Sequence, residues 1–173
     1  MKVSDLKQTE HDSYYSNYID KVPKDIALIS GFKQGENYIL NFFKSIPEDK
    51  LNYRYAEGKW SVKEVLQHII DTERIFMYRC FRIARHDKTD LMGYKQDDYI
   101  TPSGADKKSI ENLLEEYKAV RLNFIVLLKS FTDKDLKSIG KANGTDLSAR
   151  AAAFIILGHE IHHTNIIRER YLD

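Results

Sequence analysis

The sequence predicts an all-α protein, a four-helix bundle with a short additional helix near its N-terminus. Over four long segments, apolar residues recur at intervals of three and four, which is the period of an amphipathic helix. The three prolines, Pro23, Pro47 and Pro102, fall at the boundaries of these segments, where a helix tolerates them. No segment shows a sustained alternation of apolar and polar residues between hairpin turns, so no strand is predicted.

The first long helix is expected to follow Pro23 and to end near Ser45. Its apolar face consists of residues at helical spacing: Ile26, Ile29, Phe32, Tyr38, Ile39, Phe42 and Phe43. The segment before it carries four further apolar or aromatic residues: Tyr14, Tyr15, Tyr18 and Ile19. Their spacing favours a short helix that packs across the bundle.

The second helix has a clear beginning in the stretch WSVKEV. Ser61 and Glu64 have the spacing of a capping box, in which each side chain bonds the other residue's backbone N–H. Apolar residues then recur at helical spacing from Val62 to Phe81, and the helix is expected to end near His86.

The third helix is expected between about Asp106 and Phe131, and the fourth between about Leu147 and Tyr171. The connection before the third helix, HDKTDLMGYKQDDYITPSGA, is long for a link between helices, and such loops are often functional. The connection before the fourth helix, TDKDLKSIGKANGTDLS, is expected to be a polar loop. Connections of this length permit a topology other than up-down-up-down.

Length, charge and cysteine content narrow the functional classes. The chain of 173 residues fits a single domain spanning residues 1–173. Its 27 basic and 26 acidic residues lack the basic excess of a nucleic-acid-binding protein. No run approaches the roughly 18 apolar residues of a membrane span, and the polar N-terminal stretch lacks the apolar core of a secretory signal. With Cys80 as the single cysteine, we expect a cytoplasmic protein with neither nucleic acid nor a membrane as its partner.

The stretch HEIHH near the C-terminus contains the zinc-protease pattern H-E-x-x-H, with His159, Glu160 and His163. Two imidazoles at positions i and i+4 share one helix face and chelate one ion. A protease is nevertheless not expected, because the usual downstream extension with a third ligand is absent. The nearest acidic candidate, Glu169, points to the far side of the helix.

The second helix offers the missing ligand. His68 lies at or beside its buried face and would meet His159 and His163 if the second and fourth helices are neighbours. Three protein ligands with an open position are typical of catalytic rather than structural zinc. Two alternatives stay open: His68 is an ordinary core residue, or His162 replaces His163, since a spacing of three residues also permits chelation.

Two acidic residues accompany these histidines. Glu160 is a candidate catalytic residue, acting as a base or orienting a ligand, unless it is solvated or ion-paired. Asp71, three residues after His68, is a candidate hydrogen-bond acceptor for an imidazole N–H, unless it pairs with an arginine.

Other side chains near the predicted site have simpler interpretations. Glu73 is expected to pair with an arginine of its own helix. Residues 93–100, GYKQDDYI, are a candidate cover for the site, from which Asp98 or Tyr94 would reach substrate, although a surface loop is the simpler interpretation. Cys80 is expected to be a buried packing residue, because a reactive thiol requires an exposed, electropositive setting.

Three stretches together resemble the DinB-like (DinB/YfiT) superfamily of helical-bundle proteins: KWSVKEVLQHIIDTERIFMYRCFRIARHDKT, GYKQDDYI and GHEIHHTNIIRERYL. The resemblance extends from about Tyr18 to Leu172. It implies a bundle with up-down-down-up connectivity, and it implies a homodimer, as in many members. It also implies one divalent metal ion, zinc or nickel with iron or manganese as alternatives, held by His68, His159 and His163.

The resemblance implies two kinds of activity. Some members are thiol-dependent S-transferases or isomerases, and others are described as metal-dependent hydrolases. An open divalent site lowers the pKa of the molecule in its fourth position, which suits both activities. We therefore expect a small-molecule substrate and, for S-transfer, a low-molecular-weight thiol such as bacillithiol, mycothiol or glutathione. The alternative is a non-catalytic protein, a metal-binding stress protein or structural bundle.

Overall fold

The computed structural model describes residues 1–172, and helices make up most of it. In chain order they are α1 (Ser16–Ile19), α2 (Leu28–Lys44), α3 (Val62–Ala84), α4 (Asp97–Ser103), α5 (Ile110–Lys129), α6 (Asp133–Leu136) and α7 (Ala149–Ile167). The four long helices α2, α3, α5 and α7 form the predicted bundle, and α1 is the predicted short helix near the N-terminus. A π-helical turn, Arg168–Leu172, continues α7.

The side-chain contacts along each pair of helices define their directions. Helices α2 and α7 are parallel, because Gly31 lies beside Leu157 and Gly35 lies beside Glu160. Helices α2 and α5 are antiparallel, because Gly35 lies beside Arg121 whereas Phe32, earlier in α2, packs on Phe124 with ring centroids 5.0 Å apart.

Helix α3 is antiparallel to α7 and parallel to α5. The carbonyl of Trp60, just before α3, accepts a hydrogen bond of 2.8 Å from the hydroxyl of Tyr171, just after α7. Lys63 in the first turn of α3 donates to the carbonyl of Lys108, just before α5, while Glu73 further along α3 meets Arg121 further along α5. The predicted up-down-down-up connectivity is therefore confirmed.

Serine side chains define where three of the long helices begin. Ser61 accepts a hydrogen bond from the backbone N–H of Glu64, whose carboxylate accepts one in return, so the predicted capping box is confirmed. Ser109 and Ser148 cap α5 and α7 without the reciprocal bond, because each side chain only accepts a hydrogen bond from the backbone N–H three residues later. Helix α5 begins after the predicted Asp106, because the short 3-10 turn Ala105–Lys107 ends before the Ser109 cap.

The two long connections contain a small sheet, so the prediction of no strand was wrong in this detail. Strands β1 (Asp90–Leu91), β2 (Ile139–Ala142) and β3 (Thr145–Ser148) pair in that order, β1 parallel and β3 antiparallel to β2. Asn143 and Gly144 form the turn between β2 and β3, both with positive φ, which is the preferred chemistry of a two-residue hairpin. The strands are too short for sustained alternation, but the Asn-Gly pair was a usable signal.

Helix α7 is the centre of the bundle. Every residue from Ala149 to Glu160 is buried, and four alanines in its first two turns let neighbouring elements approach closely: Ala149, Ala151, Ala152 and Ala153. Within residues 1–172, no helix combines the length and the apolar character that crossing a membrane would require.

Helix α1 crosses α7 at Gly158. A Cβ atom placed on Gly158 would lie 2.0 Å from the backbone oxygen of Tyr18, far inside van der Waals contact. The absence of a side chain therefore allows the backbone of α1 to lie directly on α7, one residue before His159.

We expect Gly158→Ala to lower the free energy of unfolding by about 2–3 kcal/mol, because a rigid backbone atom blocks the new methyl group. Gly31→Ala is the matched control, since the nearest atom to its Cβ would be the flexible tip of Leu157, at 2.8 Å, and the Ile26 side chain lies at ordinary contact distance. Its steric cost is offset by better helix propensity, so we expect a change within about 1 kcal/mol. Urea denaturation measures both, and equal stability of the two variants would contradict the close crossing.

Candidate metal centre

Three imidazoles from two helices converge in the bundle. The Nε2 atom of His159 lies 2.9 Å from Nε2 of His68 and 3.1 Å from Nε2 of His163. The ligand atoms of all three residues lie within 4.8 Å of one another, so the cluster is a candidate metal site. His68 comes from α3 and the other two from adjacent turns of α7, as the predicted contact between these helices requires.

The surroundings keep the three imidazoles neutral. Burial lowers the pKa of His68 to about 4, with a smaller contribution from His162. Burial also holds the pKa values of His159 and His163 well below the usual range, and the neighbouring imidazoles add to the effect. Neutral imidazoles keep a nitrogen lone pair, which is the form that binds metals.

The geometry suits a bound cation better than hydrogen bonds among the rings. A neutral imidazole nitrogen either donates or accepts, so a single hydrogen bond serves only one of the two contacts of His159. A tetrahedral ion with bonds of about 2.0–2.1 Å to each nitrogen would separate the nitrogens by roughly 3.4 Å. The two shortest separations, 2.9 and 3.1 Å, differ from this value by a few tenths of an ångström.

Aromatic side chains hold the imidazoles in position. The ring of Trp60 lies 4.7 Å from that of His68, and the ring of Tyr18 lies 5.3 Å from that of His159. His162 also packs against Tyr18, at 5.3 Å, and it does not belong to the cluster. The proposed exchange of His162 for His163 therefore has no support in the geometry.

Glu160 turns away from the histidines and enters a buried ionic network, here called the Arg121 network: Arg121, Glu73, Glu160 and Tyr117. Arg121 donates to Glu160 at 2.5 Å and to both oxygens of Glu73, with the shortest contacts at 2.8 Å. The Tyr117 hydroxyl donates to Glu160 at 3.0 Å. Arg121 and Glu73 are 0% exposed, so no solvent screens these charges.

The Arg121 network connects all four long helices. Arg121 belongs to α5, Glu73 to α3 and Glu160 to α7, while the guanidinium also donates to the carbonyl of Phe32 in α2. Burial opposes the charge on Arg121, but the two carboxylates outweigh it and hold the pKa of the guanidinium well above its usual value. Burial raises the pKa of Glu73 against the opposing effect of Arg121.

Gly35 makes room for this network. A Cβ atom on Gly35 would lie 2.2 Å from the Oε1 atom of Glu160 and 3.0 Å from a nitrogen of Arg121. A side chain at this position in α2 would therefore displace the ion pair that fixes α7.

The pairing expected for Glu73 was wrong, since its partner is Arg121 of α5 rather than an arginine of α3. A sequence signal for the network existed. Arg121 lies four residues after Tyr117 and three before Phe124, on the apolar stripe of its helix, and Glu73 interrupts the stripe of α3 in the same way. Charged residues on a buried stripe require partners, so this pattern predicts a buried ion pair.

Asp71 does not contact His68 in the described part of the chain. Its carboxylate accepts hydrogen bonds from Arg74 at 2.9 Å and from Gln67 at 3.1 Å. Cys80 is fully buried, and burial raises the pKa of its thiol, in keeping with the packing role expected from the sequence.

A cavity of about 140 Å³ adjoins the histidine cluster. His159 lines it together with residues of the N-terminal segment, of α3, of the connection after α3, of the hairpin turn between β2 and β3 and of α7: Tyr14, Tyr15, Tyr18, Thr72, Phe76, Arg79, Gly93, Tyr94, Gln96, Asn143 and Ile155. The Tyr94 hydroxyl lies 3.2 Å from that of Thr72. Of the two residues considered as candidate substrate contacts, Tyr94 lines this cavity and Asp98 lines a different one.

The fold and the site together define a helical bundle with a three-histidine cluster between two of its helices. The family model of the DinB superfamily matches residues 32–167, and the chain belongs to this superfamily. None of the curated proteins matches the sequence.

Two solved structures from Bacillus subtilis have a similar fold. YfiT, described as a probable metal-dependent hydrolase with an unusual four-helix bundle topology, has a TM-score of 0.73 at 16% identity, over 86% of this chain and 90% of its own. A DinB-like protein, YjoA, has a TM-score of 0.59 at 19% identity, over 82% of this chain and 87% of its own. At these identities the likeness concerns the fold.

We expect Arg121→Met to lower the free energy of unfolding by about 3–5 kcal/mol, because it leaves two buried carboxylates without a cation. Adding Glu73→Gln and Glu160→Gln to this variant removes the uncompensated charges and should restore much of the loss. Arg74→Met is the control, since Arg74 is 42% exposed and its ion pairs should contribute less than about 1 kcal/mol. Chemical denaturation measures all three, and equal effects at positions 74 and 121 would contradict the network's role.

Proposed function

We propose that this protein is a metal-dependent hydrolase of a small molecule, with one divalent ion held by His68, His159 and His163. The observation that carries the proposal is the convergence of three neutral imidazole nitrogens beside a cavity. The fold adds support, since YfiT is described as a probable metal-dependent hydrolase. Three ligands from the chain leave a fourth position for water or substrate.

The chain supplies the ligands and their surroundings. A divalent ion bound with an open position polarises a carbonyl group and lowers the pKa of water to about 7. Imidazole ligands suit zinc, nickel and iron, whereas manganese prefers oxygen ligands. Because nitrogen sites generally bind iron(II) less tightly than nickel or zinc, zinc or nickel is the proposed ion and iron is the alternative. The packing of Trp60 on His68 and of Tyr18 on His159 restricts the orientation of two of the three imidazoles.

We assign Glu160 a positioning role rather than proton transfer. Both its partners, Arg121 and Tyr117, lie in the core, and its carboxylate is only 2% exposed. Tyr94 and Thr72 place hydroxyl groups in the cavity that His159 also lines, and they are the proposed polar contacts of substrate.

Thiol-dependent S-transfer is the alternative that the family resemblance adds. Cys80 is buried, so the thiol would come from a small molecule in solution. The two reactions are distinguishable because only S-transfer consumes thiol and electrophile together. The homodimer and the cytoplasmic location stay predictions.

Elemental analysis of the purified protein, after reconstitution with zinc or nickel, tests the metal site. We expect about one ion per chain, near-stoichiometric loss in His68→Ala and in His159→Ala/His163→Ala, and full retention in His162→Ala, the matched control. Metal retained without His68 would contradict a site shared between α3 and α7.

The same proteins should differ in activity towards a simple ester such as 4-nitrophenyl acetate. We expect metal-dependent hydrolysis in the wild type and in His162→Ala, abolished in the His68 variant and by chelation. Turnover of 1-chloro-2,4-dinitrobenzene that requires added glutathione or bacillithiol, with no ester hydrolysis, would favour S-transfer. Full metal occupancy with neither activity would favour a non-catalytic metal-binding protein.

A further inference from the structure

The cavity beside His159 contains a buried positive charge. Arg79 of α3 is 3% exposed and lines this cavity. Arginine stays ionised in proteins, so its charge persists there. Buried cations are normally paired with carboxylates, because leaving water is costly for an unpaired charge.

No carboxylate compensates this charge in the described part of the chain. Within residues 1–172, no Asp or Glu oxygen lies within the 4.0 Å of an ion pair with Arg79, in contrast to the fully paired Arg121. Its guanidinium lies over the Phe76 ring at 4.8 Å, and one nitrogen donates to the carbonyl of Met92 at 3.2 Å. A guanidinium has five N–H donors, and the Arg79 nitrogens without a partner in residues 1–172 are not fully buried, so they reach water in the cavity that a ligand could displace.

The cavity's other lining residues are neutral or aromatic. Three tyrosines of the N-terminal segment, Phe76 and Tyr94 line the cavity together with Arg79, and among the described residues its lining contains no Asp, Glu or Lys. In the metal-free protein Arg79 is therefore the one charged side chain among these described lining residues, and its single charge balances a monoanion but not a phosphate dianion. A volume of about 140 Å³ holds roughly five waters, or a carboxylate with a short carbon chain.

We propose that Arg79 binds a carboxylate group of the substrate, so that the substrate class is a small monoanionic carboxylic acid derivative. Arginine binds carboxylates through two parallel hydrogen bonds, which would orient the molecule in the cavity. Because His159 lines the same cavity, the bound carboxylate would direct the remainder of the substrate toward the histidine cluster. This inference rests on the proposed function, since it names the substrate class of that site. Carboxylate binding at Arg79 and metal binding by the histidines can nevertheless be tested separately.

The test uses metal-free protein, because carboxylates also coordinate divalent ions. Propionate, its neutral isostere propionamide and inorganic phosphate are titrated separately, with binding measured by ligand-observed NMR. The variants are Arg79→Gln, Arg79→Lys and Arg85→Gln. The Arg85 variant is the matched control, since it removes the same charge from an exposed position at the end of the same helix.

We expect wild-type protein to bind propionate at least roughly tenfold more tightly than propionamide, because hydrogen bonds to a charged group are lost with the amide. Arg79→Gln should weaken propionate binding by a similar factor, Arg79→Lys should weaken it less, and Arg85→Gln should leave it unchanged. A purely structural Arg79 would change thermal stability without changing the preference for propionate over propionamide.

Three results would overturn the proposal: equal binding of propionate and propionamide, propionate binding unaffected by Arg79→Gln, or tighter binding of phosphate than of propionate. If Arg79→Gln does not fold, the wild-type preference and the Arg79→Lys variant decide the question. Failure of the metal site would appear as missing metal in elemental analysis, and it leaves these metal-free titrations interpretable.

Discussion

The buried guanidinium of Arg121 is the interaction on which the rest of the structure depends. It contacts carboxylates from α3 and α7 and a backbone carbonyl of α2, so one side chain of α5 connects all four long helices. Hydrophobic packing alone tolerates small rotations of a helix about its axis. A fully buried ion pair does not tolerate such rotations, because loss of its geometry would leave uncompensated charges in the core. The Arg121 network therefore fixes the rotation of the long helices about their axes at this level of the bundle.

That fixed rotation determines where the histidines point. Glu160 follows His159 directly, and Glu73 lies five residues after His68, so the ends of the Arg121 network are close in sequence to the imidazoles. Gly35 and Gly158 serve the same arrangement, since the first leaves room for the ion pair and the second lets α1 bring Tyr18 onto His159. The charge of Arg121 is thus paired with two carboxylates, whereas Arg79, which lines the cavity beside the histidines, has no carboxylate partner within residues 1–172. The paired Arg121 suits a structural role, and Arg79 suits the binding of an anionic ligand.

Much of this arrangement could be predicted from the sequence, and the omissions have physical causes. Helical periodicity and the Ser61 cap predict the bundle, and the spacing of His159 and His163 places two imidazoles on one face. The sheet was missed because its strands are stabilised by tertiary pairing rather than by a local pattern of sufficient length. The position of Glu73 on a buried stripe indicates that it needs a partner. Which partner it has, and the role of Arg79, depend on which helices are neighbours, and sequence spacing within one helix does not contain that information.

The most direct measurement is a crystal structure of the zinc-loaded protein with anomalous scattering recorded at the zinc edge. The account predicts one strong peak at about 2.0–2.1 Å from the Nε2 atoms of His68, His159 and His163, a fourth position open to the cavity, and Glu160 still bound to Arg121. A peak coordinated by only two of these histidines, or by Glu160 after release from Arg121, would contradict it.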